Sequence, residues 1–232
     1  MENIKYMNIK DKLTIVIPSY NEEKHIERTV LSIVEQYGIQ GTRVIIADGF
    51  SKDKTRVKII NLREMFKDTI KIELVNGGKV SFARNFGATL VKTKYVLFLD
   101  ADSVLLENNN IANNIQMMEK NHLNLVTCKI KSVGKDIRTN IAFRIFNLIN
   151  RYISIKTPFA VGTYFLTSTE LFRKLKGFDE SLKHSEDYFL SKKYNPRRFK
   201  KMGYIGMIKL LVKGYINRDD INFFKKDVNY WQ

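Results

Sequence analysis

The chain is poor in cysteine, poorer in acids than in bases, and without an apolar run long enough to cross a bilayer. Each shortage excludes something. Cys128 is the only cysteine, so no internal disulfide and no cysteine metal cluster can be built, which favours a reducing compartment. Cys128 itself reads as a small core hydrophobe. The longest apolar-rich region, Ile141 to Ile155, is interrupted by Arg144, Asn147, Asn150 and Arg151, so it is not read as a spanning helix. Met1 to Asp11 mixes polar and charged residues and lacks the apolar centre of a signal peptide, so export is not expected. Acids number 24 against 40 Lys and Arg, a formal charge of +16, which predicts attraction to polyanions such as nucleotide phosphates, nucleic acid or an acidic membrane surface. There is no internal repeat and no low-complexity stretch.

What is present is an ordinary core-forming composition, with 44% hydrophobic and 28% charged residues over 232 positions; that is enough for a full core in one domain. Lys12 to Pro18 is a β-branched run closed by proline, as a buried strand would be. Ser19, Tyr20 and Asn21 turn the chain. Glu22 and Glu23 then open a helix in which Ile26, Val30, Ile33, Val34 and Tyr37 recur at helical spacing until Gly38. Arg43 to Ala47 is a second strand ending on Asp48, before a helix over Thr55 to Phe66. Ile70 to Val75 is a third, followed by Asn76-Gly77-Gly78 and a helix over Lys79 to Val91 that carries Arg84 and Asn85. The fourth strand ends on Asp100, in Phe98-Leu99-Asp100-Ala101-Asp102-Ser103.

This alternation predicts an α/β protein with a mostly parallel sheet covered by helices on both faces. Right-handed crossovers bring the carboxyl ends of such strands to one rim, where ligands bind. Asp48, Arg84, Asp100 and Asp102 are therefore expected in one crevice. Asp100 and Asp102 could offer oxygens to one hard cation, magnesium or manganese, that takes its other ligands from a diphosphate; equally, Asp100 could cap a following helix and Asp102 be a solvated loop residue. Tyr20 as packing, Asp48 as a turn former and Arg84 as a surface charge are the corresponding structural readings.

Beyond Asp102 the alternation loosens. Ile111 to Lys120 reads as a helix, Leu125 to Ile130 as a strand, Ile137 to Ile155 as an amphipathic helix and Ala160 to Leu166 as a strand. Gly177-Phe178-Asp179-Glu180 is a turn leading to a helix that opens on Glu186 and Asp187, with Ser185 as its expected N-cap.

Five of these segments, in this order, resemble the motifs of family 2 glycosyltransferases of the GT-A fold: Val16-Ile17-Pro18-Ser19-Tyr20-Asn21-Glu22-Glu23, Asp48-Gly49-Phe50-Ser51-Lys52-Asp53-Lys54-Thr55, Ala83-Arg84-Asn85-Phe86-Gly87, Asp100-Ala101-Asp102, and Gly177-Phe178-Asp179-Glu180 with Glu186-Asp187. The resemblance implies a Rossmann-like single GT-A domain over residues 12–195, after an N-terminal tail of residues 1–11. Residues 12–103 would be its nucleotide-sugar half and 104–195 its acceptor half. It implies metal-dependent, inverting transfer of a sugar from a UDP-, GDP- or dTDP-sugar to a hydroxyl on a glycan or lipid-linked acceptor. Pro18, Ser19, Tyr20 and Glu22 would belong to the donor site, with Ser19 and Tyr20 at the base. Asp48 would accept from the base, Arg84 reach the diphosphate, and Asp100 orient the ribose or sugar. Asp102 would hold manganese or magnesium, Glu186 would bind acceptor, and Asp187 would be the general base.

The pattern departs from the family in three ways. Ala47 stands where many members carry a second acid. Gln-x-x-Arg-Trp, a mark of the processive polymerases, is absent. His25, His122 and His184 match no family ligand position. The rival readings are a nucleic-acid- or polyanion-binding protein, motivated by the charge, and a pseudoenzyme that binds nucleotide sugar without turnover. Nucleic acid is disfavoured because the basic residues follow the motifs without a base-reading module. Residues 196–232 are expected to form a basic helical extension. Arg197, Arg198, Lys200 and Lys201 precede an amphipathic helix over Met202 to Ile216, which would either lay the protein on an acidic membrane surface, a peripheral position on the cytoplasmic face, or pack its apolar face on the catalytic domain with Arg197 or Arg198 closing over the donor diphosphate.

Overall fold

The structure is a computed structural model describing residues 8–134, 137–182 and 184–207. Its first half alternates as the sequence predicts: β1 (Leu13–Ser19), α1 (Ile26–Val34), β2 (Thr42–Asp48), α2 (Thr55–Met65), β3 (Ile70–Asn76), α3 (Val80–Thr89) and β4 (Tyr95–Leu99). Then come β5 (Ser103–Leu105), α4 (Asn110–Lys120), β6 (Leu125–Ser132), α5 (Ile137–Ile153), β7 (Tyr164–Ser168), α6 (Thr169–Lys174), α7 (Glu186–Ser191) and β8 (Phe199–Met207). One eight-stranded sheet has the order β3-β2-β1-β4-β7-β6-β8-β5. The first four positions are parallel; β7 enters antiparallel to both β4 and β6, and β5 is antiparallel to β8 at the far edge.

Helices lie on both faces because β1 alternates. Leu13, Ile15 and Ile17 point into a core shared with Ile26, Val30 and Ile33 of α1, Ile59 and Leu62 of α2, and Ile111 and Ile115 of α4. Val16 points the other way, toward Ala88 of α3, Phe172 of α6, Phe178 of the turn after α6, and Leu190 of α7. The second core is aromatic: Phe98, Phe165, Phe172 and Phe178 meet with centroids 4.8 to 6.2 Å apart. Helix α3 crosses β1 closely at Gly87, where an added Cβ would stand 2.4 Å from Val16 Cγ1. Gly87→Ala is therefore expected to destabilise the fold by about 1–3 kcal/mol; an unchanged urea midpoint would rule this packing out.

Two expectations change. The strand read over Ala160 to Leu166 begins only at Tyr164, because Val161 to Thr163 make a turn around Gly162 closed by the Val161–Tyr164 bridge. The helix read from Met202 meets a strand instead, with β8 lying between β6 and β5. Two glycines decide this. Gly203 has φ +66, a Cβ at Gly206 would fall 2.6 to 2.8 Å from the side chains of Val133, Val104 and Leu106, and glycine is a poor helix former. Ile205 and Met207 are buried there. Lys201 of the basic cluster also turns inward, donating to Asn150 O at 3.1 Å, and burial pushes its ammonium down to about 7. Residues 196–207 thus belong to the domain, while the remainder of the expected helix, 208–216, and of the extension to 232 lies outside the described residues. Among the described residues, no helix is long and apolar enough to cross a membrane.

Candidate active site

Register places the site. Ser19 pairs with Asp48, Asp48 with Asn76, and Val16 with Phe98, so the carboxyl ends of β1, β2, β3 and β4 reach one rim. Asp100 and Asp102 follow β4 directly.

The loops after β1 and β2 are stapled to each other. Asn21 N–H donates to Ser51 Oγ at 2.9 Å and Lys52 N–H returns a bond to Asn21 Oδ1 at 2.9 Å. Glu22 N–H donates to Thr55 Oγ1 at 2.7 Å, Glu23 N–H to Asp53 Oδ2 at 3.2 Å, and Lys54 N–H to Glu23 Oε2 at 3.0 Å. With its backbone committed to this neighbour, the Glu22–His25 segment is a turn, and α1 starts at Ile26 rather than at Glu22. Asp48 is fully buried beneath the staple and accepts from Ser51 N–H and Oγ, Ser19 Oγ and Arg56 Nη1. Burial alone would raise its carboxyl, but these donors hold it below the ordinary carboxylate range. Both oxygens are occupied, so Asp48 fixes the loop geometry. Pro18 is buried inside β1, and Glu22 is buried with its carboxylate 2.7 Å from His25 Nδ1. Tyr20, 55% exposed, stands open on the rim beside Gly49.

Arg84, which the resemblance assigns to the donor diphosphate, is engaged inside the protein. It is 3% exposed and its guanidinium spans two carboxylates, Asp100 at 2.6 Å and Glu186 at 2.5 Å, above the Phe178 ring at 5.2 Å. Its acidic neighbours hold its charge firmly against burial. Glu186 is buried and taken up by this pair, which turns it inward as well. A fork that binds two carboxylates joins the end of β4 to the start of α7.

Asp187 follows directly. Ser185 does not cap α7 through its side chain; it adopts φ +61, and Asp187 instead accepts from one N–H of the first turn, Tyr188 N–H at 2.7 Å, and from Gly162 N–H of the turn before β7 at 2.5 Å. Burial pushes its carboxyl up to about 6, reinforced by Glu186 and opposed by Arg84 and the two N–H donors. Part of its surface stays accessible. A half-buried carboxylate poised near neutrality suits proton abstraction from a hydroxyl.

Asp102 is 4% exposed at the rim. Among the described residues no group of three His, Cys, Asp or Glu side chains is placed to hold a metal alone. The oxygen-only pair Asp100 and Asp102, with Asp100 already engaged by Arg84, fits a magnesium- or manganese-like ion that keeps waters and takes its other ligands from a substrate diphosphate.

Sequence reasoning missed several supports. Asn85 stitches α3 to the Gly177–Glu180 turn, accepting from Phe178 N–H and donating to Phe178 O and Glu180 Oε1. Gly162 leaves room for Arg84, whose Nη2 would lie 2.5 Å from an added Cβ. Phe50, 62% exposed with φ +63, stands beside Asp48 on the same loop. Asn85 and Phe50 lay within recognised motifs without a role of their own; Gly162 carried no spacing signal.

Known proteins similar to this chain identify its family and its fold. The family model described as "Glycosyl transferase family 2" matches residues 14–176. Poly(ribitol-phosphate) beta-N-acetylglucosaminyltransferase TarP of Staphylococcus aureus (strain N315) is 30% identical over 100 residues, 41% of this chain and 30% of TarP. WfgD of Escherichia coli, named a UDP-Glc:alpha-D-GlcNAc-diphosphoundecaprenol beta-1,3-glucosyltransferase, is 26% identical over 114 residues, 49% of this chain and 44% of that protein. The chain thus spans less than half the length of either relative. The structure of the mannosyltransferase PcManGT from Pyrobaculum calidifontis, in complex with GDP-Man and Mn2+, superposes with a TM-score of 0.68 at 21% identity, covering 88% of this chain and 58% of that one. That likeness establishes the fold, a GT-A-like α/β sheet.

Proposed function

The chain belongs to glycosyl transferase family 2, and from that premise we propose that it moves a sugar from a nucleoside-diphosphate sugar to a hydroxyl of a glycan or lipid-linked acceptor, with inversion at the anomeric carbon. The observation that carries this reading is the bridge made by Arg84. It ties Asp100 to Glu186, the neighbour of the partly exposed residue Asp187, which supports reading Asp100 as a donor-side and Asp187 as an acceptor-side group of one site.

Each residue then has a physical task. Tyr20 offers an exposed ring on which a planar base can pack. The Asp48 staple holds Ser19 and Ser51 in place beneath it. Asp100, fixed by Arg84, keeps an oxygen toward the sugar or ribose. Asp187 takes the proton of the acceptor hydroxyl; that oxygen forms the new bond to the anomeric carbon as the bond to the diphosphate oxygen breaks on the opposite face. Asp102 would hold the divalent cation, whose charge stabilises the departing nucleoside diphosphate when it is bound. The acceptor and donor named for WfgD, and the GDP-Man and Mn2+ bound to PcManGT, support this class of chemistry.

Release of UDP, GDP or dTDP from a panel of nucleotide sugars, with manganese or magnesium, tests the proposal; no release with any donor and acceptor glycan or lipid defeats it. Asp102→Asn is expected to lower turnover and metal-dependent donor binding about 100-fold or more, because one charge leaves the cation site. Wild-type rates in the variant, or full activity of the native protein in EDTA, would remove Asp102 from that role.

A further inference from the structure

Helix α5 is built inside out. Its inner face carries Thr139, Phe143 and Asn150 as its buried residues, and Asn147 bonds both backbone groups of Ile130 on β6 at 3.0 and 2.7 Å. Its outer face carries Ile137, Ile141, Ile145, Leu148, Ile149 and Tyr152, each between 51% and 78% exposed. At 100° per residue these six fall in one arc of about a third of the helix circumference, opposite the buried residues. Ile155, 72% exposed, continues the stripe past the helix end. Single exposed apolar residues are unremarkable, but a contiguous stripe along a whole helix marks a contact surface.

Charge selects the occupant. The segment Ile137–Lys156 contains Arg138, Arg144, Arg151 and Lys156 and no Asp or Glu, and all four cations are exposed. Lys129 and Lys131 are exposed on the adjoining strand β6. Two copies of the chain packed through this stripe would bring together Arg138, which falls within the arc, and Arg144 and Arg151 along its margin, in a protein whose formal charge is already +16, with no carboxylate on the helix to compensate. A surface that is apolar at depth and anionic at its boundary satisfies both features. We propose that α5 is a membrane-docking helix, which inserts its Ile–Leu–Tyr stripe into an anionic lipid surface with its arginines at the headgroups.

The position is functional as well as chemical. Phe146 of α5 meets Phe159 with centroids 6.2 Å apart, and Phe159 meets Tyr188 at 4.8 Å. Tyr188 is the residue after Asp187, so two ring contacts separate the docking helix from the carboxylate on the acceptor side. A lipid surface at α5 would present its headgroups on that side of the crevice. The docking itself does not depend on the transfer reaction and is measured without it.

Flotation of the full chain with vesicles of phosphatidylglycerol and of phosphatidylcholine gives the first readout. The protein is expected to float with the anionic vesicles, and Leu148→Glu with Tyr152→Glu to lower that partition about tenfold or more, because both exposed apolar groups leave the stripe. Binding by neither vesicle, or equal flotation of the variant, overturns the proposal. A second readout uses Leu148→Cys carrying a polarity-sensitive dye, directed there because Cys128 is buried. The dye should report water in the free protein and an apolar setting with anionic vesicles only. An apolar setting without vesicles overturns the proposal: in a monomer it means that the chain's own residues cover the stripe, and in a dimer by light scattering that a second copy does. Binding of phosphatidylglycerol vesicles with the dye still in water places the contact elsewhere and overturns it too.

Discussion

Replacing Asp187 by asparagine is expected to lower kcat for sugar transfer by about 10²–10⁴-fold, the usual contribution of a positioned proton acceptor, with the affinity for the nucleotide sugar nearly unchanged. Asparagine keeps the shape but has one acceptor oxygen where the carboxylate has two, so it retains the bond from either Gly162 N–H or Tyr188 N–H and loses the other together with the proton-accepting capacity. The pH profile supplies an independent signature. A proton acceptor works ionised, and burial pushes the Asp187 carboxyl up to about 6, so the native rate should fall as the pH drops through about 6. The residual rate of Asp187→Asn should lose that limb. Single-turnover transfer and nucleotide-sugar titration between pH 5 and 8 would separate the effects. A collapse of donor affinity with transfer surviving would make Asp187 a donor-site residue instead.

The first hundred residues were legible because each strand there is a short apolar run that ends on a polar turn, and each helix has one apolar face. Burial then follows the period: Leu13, Ile15 and Ile17 to one core, Val16 to the other. The carboxylates at the rim were legible for the same reason, since strand ends fix where Asp48 and Asp100 must be. What escaped depends on partners far along the chain. That Arg84 faces inward is decided by Glu186, 102 positions away, and by the room that Gly162 leaves. Neither is visible in the spacing of Ala83 to Gly87. The strand β8 escaped because Tyr204, Ile205 and Met207 fit a helical arc as well as an extended edge, and only the packing at Gly206 against Val104 and Val133 discriminates. Helix α5 was legible as amphipathic, but the side that its apolar arc would face was not. Periodicity gives the direction of an apolar face relative to the helix and says nothing of what lies beyond it.

Arg84→Met should cost the fold about 3–5 kcal/mol, as breaking a buried ion pair from one side does. Methionine roughly fills the stem, so the loss is electrostatic: Glu186, buried, and Asp100 lose their shared cation, and Asp187 loses the one charge that draws its carboxyl downward from the side chains around it. Three carboxylates then stand together without compensation, and the least solvated must take up protons to remain inside. The sign of the pH dependence follows. Carboxyls whose folded values are raised above their unfolded ones bind protons preferentially in the native state, so the variant's stability falls as pH rises from the unfolded carboxylate range through those raised values. The penalty relative to the native protein should therefore be larger at pH 8 than at pH 5. Arg84→Lys should recover part of the stability at both, since it restores the charge without the fork that reaches Asp100 and Glu186 together. Urea unfolding of the three proteins at the two pH values measures this. A loss below about 1 kcal/mol, or one that is the same at both pH values, would mean that the Arg84 bridge is not what joins the end of β4 to the start of α7.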